Sequence, residues 1–168
     1  MTEDFRTNKT KAAMLSGQTI KVAEINRVFD PAVVEIIAQA GFGCAWIDME
    51  HSHLDLVALS AMVLAARTVD LDVVVRIPKG PYNQVIKPLE IGANGLVWPH
   101  CGSADEAREF VQMAKFRPLG KRGVGGGRGN GGWCQVCAAA AADEEAAASG
   151  RIGSATNPQR SGSLRRHS

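Results

Sequence analysis

The chain has 168 residues, 45% of them hydrophobic and 21% charged, with a formal net charge of +2. That is enough to bury one ordinary core, and no apolar run approaches the roughly 18 residues of a membrane span. The first residues carry early acids and no apolar block, which argues against a secretory signal. Cysteines at 44, 101, 134 and 137 are too few and too unevenly spaced for a disulfide framework, so a cytoplasmic, reducing compartment is expected.

Taken in order, Gln18 to Ile25 reads as a first strand, with apolar residues on alternate positions. Asp30-Pro31 opens a helix, the acid as N-cap and the proline at the first helical position, and Gly41 closes it. Cys44 to Ile47 is a short apolar run, the pattern of a buried strand, and it ends abruptly in Asp48, Glu50, His51 and His53. A helix over about Leu54 to Thr68 places Leu56, Leu59, Met62, Val63 and Ala66 on one face. Asp72 to Ile77 is a third strand, stopped by Pro78; a helix from about Tyr82 to Ile91 contains Pro88 and is capped by Gly92. Gly95-Leu-Val-Trp-Pro is a fourth strand, and Ser103-Ala-Asp-Glu106 is a capping box starting a helix that ends near Phe116.

Strands and helices that alternate in this way predict the βα repeat of a parallel sheet, α/β in class. Four such units are half of an eight-fold (β/α)8 barrel, which typically needs about 250 residues. After Gly120 the composition changes to a glycine tract, a Cys-Gln-Val-Cys segment, an alanine run and an Arg/Ser/Gly tail. Residues up to 119 hold 12 Lys/Arg against 14 Asp/Glu, whereas from Gly120 onward the balance is 7 against 3. No further strand can be written there. Residues 1–127 are therefore expected to form the folded unit, and 128–168 a Gly/Ala/Arg-rich tail without an independent fold, a truncated or wrong-frame ending on a half-barrel.

In parallel α/β folds, ligands sit at the carboxyl ends of the strands. Here the second strand ends in Asp48, Glu50 and His51, the third in Arg76, and the fourth in Trp98-Pro99-His100. His51 can serve as a general base oriented by Asp48, and the planar fork of Arg76 suits an anionic substrate. The structural alternatives are an ordinary salt-bridge partner for Arg76 and helix-capping loop residues for His51 and His53. In the tail, the spaced glycines from Gly127 to Gly132 lack the preceding strand that a dinucleotide site needs. Cys134 and Cys137 imitate a thiol redox motif without its βαβ context, and the Arg-rich end has no fold around it to read nucleic acid.

Six blocks carry a family resemblance: Trp46-Ile-Asp-Met-Glu-His51, Val74-Val-Arg-Ile-Pro78, Pro88-Leu-Glu-Ile-Gly-Ala93, Gly95-Leu-Val-Trp-Pro99, Ser103-Ala-Asp-Glu-Ala-Arg108 and Gly120-Lys-Arg-Gly-Val-Gly125. In this order and spacing, over about residues 15 to 127, the chain resembles the HpcH/HpaI aldolase/citrate lyase family. The resemblance implies a divalent-metal-dependent aldolase (Mg²⁺ or Mn²⁺) on a TIM barrel, cleaving a 2-oxo-4-hydroxy acid to pyruvate and an aldehyde. It gives His51, paired with Asp48, the proton on the aldol hydroxyl, and Arg76 the charge on the keto oxygen. Glu90 stands where the family usually has an assisting aspartate, and Glu50 receives no role. The family's metal ligands, a Glu and an Asp on later strands, fall beyond the matching region. A small 2-oxo acid is the implied partner, with homo-oligomers where the full barrel is present. The alternatives of another class are a non-catalytic remnant or interaction module and a redox module at Cys134 and Cys137.

Overall fold

The computed structural model describes residues 7–123. Within them the elements run α1 (Lys9–Leu15), β1 (Val22–Ile25), α2 (Pro31–Gln39), β2 (Cys44–Asp48), α3 (Leu56–Thr68), β3 (Asp72–Arg76), α4 (Tyr82–Ile91), β4 (Gly95–Val97) and α5 (Ala104–Ala114). The four strands form one sheet in the order β1-β2-β3-β4, and each neighbouring pair is parallel. Sequential strands lie side by side with a helix in each connection, which is the arrangement of the first half of a βα barrel.

The local signals act as expected at most helix ends. Asp30 accepts from the Ala32 amide and Asp55 from the Ala58 amide, so each satisfies an N–H that its helix leaves unpaired. Gly92 ends α4 at φ 115°, a left-handed conformation that strains any residue with a side chain. Two expectations shift. The first strand begins at Val22 rather than Gln18, because the Gln18 amide donates to the Ala13 carbonyl and finishes a helix turn instead. That helix, α1, has no counterpart in the sequence reading; it buries no residue, so no apolar stripe announces it.

Register decides which side chains meet. Cys44, Trp46 and Asp48 of β2 stand beside Asp72, Val74 and Arg76 of β3 and share one face. The opposite face carries Ala45, Ile47, Val73 and Val75, and these pack with Val34 of α2, Leu59, Met62, Val63 and Ala66 of α3, and Val85 of α4. Full burial of each Val, Leu, Ile or Met among them is worth roughly 1.5–3 kcal/mol. Leu56, expected on the buried face of α3, instead lies at its exposed first position.

The amino edge of the sheet is fastened by α1. The Asn8 side chain donates to the Asn94 carbonyl at 2.8 Å, the Thr10 amide to Oδ2 of buried Asp72 at 2.6 Å, and Lys9 pairs with Asp70. Asn94 extends the sheet edge, its side chain accepting from the Val73 amide while its own amide donates to the Val73 carbonyl.

Candidate active site

Asp48 is the last residue of β2 and the register partner of Arg76, the last residue of β3. Nε of Arg76 donates to Oδ1 of Asp48 at 2.9 Å and Nη2 to Oδ2 at 2.6 Å, a two-pronged pair around a carboxylate that is 1% exposed. Oδ1 also accepts the amides of Glu50 (2.9 Å) and His51 (3.3 Å), so Asp48 folds the chain beyond the strand into a tight turn. The Arg76 guanidinium, assisted by these amides, holds the Asp48 carboxyl at about 2. The same partner raises the Arg76 guanidinium above its usual range.

The sequence pairs His51 with Asp48, and the structure makes that link through the His51 backbone amide. The His51 imidazole lies instead against Glu50, with Nε2 3.5 Å from Oε2. The same Oε2 is 3.5 Å from Nε of Arg76, and Oε1 is 3.9 Å from Nε2 of His100. Glu50 is 13% exposed, whereas His51 and His100 are 66% and 80% exposed. Imidazoles from the β2–α3 and β4–α5 loops thus flank one half-enclosed carboxylate beside Arg76, all at the carboxyl rim. His53 does not join them; its ring packs edge-on against Phe29 at 5.0 Å.

Glu90 lies elsewhere. It sits next to the carboxyl end of α4, which leads through Gly92 to the start of β4, and its Oε1 accepts from Nε and Nη2 of buried Arg122 at 3.2 and 2.6 Å. Arg122 in turn covers the ring of Phe116 at 4.5 Å. The expected assisting acid is therefore committed to a structural pair in this chain, away from Asp48 and His51.

Sequence reasoning missed how the His100 loop is held. The Glu106 carboxylate accepts from Nε1 of Trp98 and from the Gly102 amide, both at 2.8 Å, and pairs with Lys79. Lys79 also donates to the His100 carbonyl, and His100 itself adopts φ 49°. A positive φ is uncommon for a non-glycine residue, and here the Lys79 bond to the His100 carbonyl helps hold the backbone in it. The capping box Ser103–Glu106 was the available signal, but it pointed only to a helix start.

The implied divalent cation can be tested against this donor set. Asp48 is saturated by Arg76 and two amides, and among the described residues no group of three His, Cys, Asp or Glu is arranged to hold a metal ion. The described residues do not fit a cation, and no step below is routed through one.

A parallel βα sheet whose acids, guanidinium and imidazoles gather at the carboxyl rim defines about half of a TIM-barrel-like protein, with its polar groups where such barrels keep their active sites. The chain belongs to the HpcH/HpaI aldolase/citrate lyase family, which it matches over residues 27–154. That match runs past residue 127, where the block-by-block resemblance ends, into residues outside those described. The 4-hydroxy-4-methyl-2-oxoglutarate aldolase of Chaetomium globosum is 40% identical over 123 residues, 73% of this chain and 45% of that protein. The hydroxypyruvate/pyruvate aldolase of Roseovarius nubinhibens is 35% identical over 119 residues, 71% of this chain and 46% of that protein. The crystal structure of an HpcH/HpaI aldolase from Desulfitobacterium hafniense superposes with a TM-score of 0.66 at 36% identity, covering 69% of this chain and 45% of that one. The chain thus spans about half the length of the relatives it matches.

Proposed function

We propose that these residues form part of the active site of an aldolase that cleaves a 2-oxo-4-hydroxy acid to pyruvate and an aldehyde. The observation that carries this reading is the single Glu50 oxygen lying 3.5 Å from both His51 and Arg76, which puts a base and a guanidinium on one rim. In the cleavage, His51 takes the proton of the C4 hydroxyl, and the C4 oxygen closes to a carbonyl as the C3–C4 bond breaks. The bond's electron pair moves to the C2 oxygen, and Arg76 offsets the charge that develops there. Protonation at C3 then releases pyruvate. Asp48 orients Arg76 throughout, and the family's divalent cation requires ligands other than the described residues. The relatives' names make 4-hydroxy-4-methyl-2-oxoglutarate and hydroxypyruvate-derived aldols the first substrates to try.

The test is pyruvate release by the full 168-residue chain, measured with a coupled assay with and without added Mn²⁺. Release that falls when Arg76 is replaced by Ala supports the reading; release no greater than from a heat-treated sample overturns it for this chain. A cytoplasmic location belongs to the same reading; among the described residues Cys44 and Cys101 are free thiols, and no helix is long and apolar enough to cross a membrane. Assembly into homo-oligomers is part of the reading as well.

A second reading, a non-catalytic interaction module, is favoured by the sheet itself. Among the described residues β1 and β4 are its outer strands, and Val22 on β1 is 43% exposed. A redox role for Cys134 and Cys137 concerns residues outside those described.

A further inference from the structure

The site's geometry assigns its carboxylates differently from the sequence, and the assignment rests on the aldolase reading above. All the polar capacity of Asp48 is turned inward: Oδ1 takes Nε of Arg76 and two backbone amides, and Oδ2 takes Nη2 of Arg76. Buried at 1% exposure, this carboxylate shapes the turn and the guanidinium. Glu50 has the complementary surroundings. Its side chain is set by the turn that Asp48 makes, since its own amide is one of the donors to Oδ1. Its Oε2 lies midway between the guanidinium and the His51 ring, and its Oε1 faces the His100 ring.

We infer that Glu50 is the positioning residue of this site: it keeps the exposed His51 imidazole on the same carboxylate oxygen that faces Arg76 and draws the β4–α5 loop to the pair through His100, while Asp48 acts only on Arg76 and the turn. An exposed imidazole with two free torsions otherwise samples several staggered positions, and a group that must meet a hydroxyl proton loses rate in proportion to the time spent elsewhere. The carboxylate, 3.5 Å from Nε2, limits that freedom on one side, attracts the imidazolium that forms once His51 has taken its proton, and leaves the ring's outer edge open. His100 approaches the same carboxylate from a loop whose backbone is already fixed by Lys79 and Glu106, so the second ring closes the far side of Glu50.

The test compares Glu50→Ala, Glu50→Gln and the parent in the full chain by two readouts. Three-bond NMR couplings report whether the His51 side chain keeps one staggered position; the parent should, Glu50→Ala should average, and Glu50→Gln, which keeps the shape and an acceptor oxygen, should lie between. In pyruvate release, Glu50→Ala should lower kcat by about tenfold to a hundredfold with KM moved less than about threefold, and Glu50→Gln should recover part of the loss. Unchanged His51 couplings in Glu50→Ala, or averaging already in the parent, overturn the assignment. If the couplings respond as expected but even the parent releases no pyruvate, the aldolase reading fails for this chain and the positioning role of Glu50 stands.

Discussion

Asp48 and Arg76 are partners twice over: in strand register, as the last rung between β2 and β3, and through their side chains, as a two-pronged ion pair. The same contact therefore closes the end of the sheet and aims the guanidinium at the rim.

That double role predicts an acid-sensitive fold. The Asp48 carboxyl lies at about 2 in the folded chain, below the ordinary 3.8, because Arg76 bonds its charged form. A depressed carboxyl contributes stability that is fully present above the unfolded value and is lost as pH falls through the folded one. The window is therefore pH 4 down to 2, and the difference corresponds to about 2 kcal/mol. Urea titrations across this range should show the loss, and Asp48→Asn should flatten the part of the slope that Asp48 supplies.

The core gives a prediction of different origin. Leu59 is fully buried between α3 and the sheet, and Leu59→Ala leaves a cavity that neighbouring Met62 and Val63 cannot fill without moving. Denaturant unfolding should show a loss of about 2–5 kcal/mol.

Glu106 governs the loop that carries His100. Its carboxyl is lowered to about 2, chiefly by Lys79 and then by the Gly102 amide and Trp98. In Glu106→Ala the Gly102 amide should exchange hydrogen faster and Trp98, stacked on Phe110 at 4.9 Å, should change its emission, with β2 and β3 protection unaltered. Equal exchange at Gly102 in both proteins would show that the capping serine alone holds the loop.

The two described thiols should differ sharply in reactivity. Cys44 is 1% exposed and its thiol is pushed up by burial, with Asp72 adding to the effect, whereas Cys101 is exposed on the β4–α5 loop. Alkylation of the native chain followed by peptide mass spectrometry should label Cys101 and spare Cys44 until the protein unfolds.

How much of this was legible in the sequence follows from the distance over which each interaction acts. The strands over Cys44–Asp48 and Asp72–Arg76 announce themselves as apolar runs, and their polar ends mark the rim. That Asp48 meets Arg76 depends on parallel register across 28 residues, which alternation suggests and only pairing fixes. The role of Glu50 was invisible because it arises from a turn shaped by backbone donors, and that of Glu90 because its partner Arg122 lies 32 residues away beyond another helix. Helix α1 gave no periodic signal, having nothing to bury.

Its anchorage, however, divides the molecule usefully. Thr10 and Asp72 meet at one end of β3, and Arg76 stands at the other, four residues along and about 13 Å distant. Groups so separated, with no shared partner, change folding energy independently. Reinforcing the α1 contacts should thus offset whatever stability is sacrificed when rim residues are exchanged, leaving room to redesign the chemistry on a firmer base.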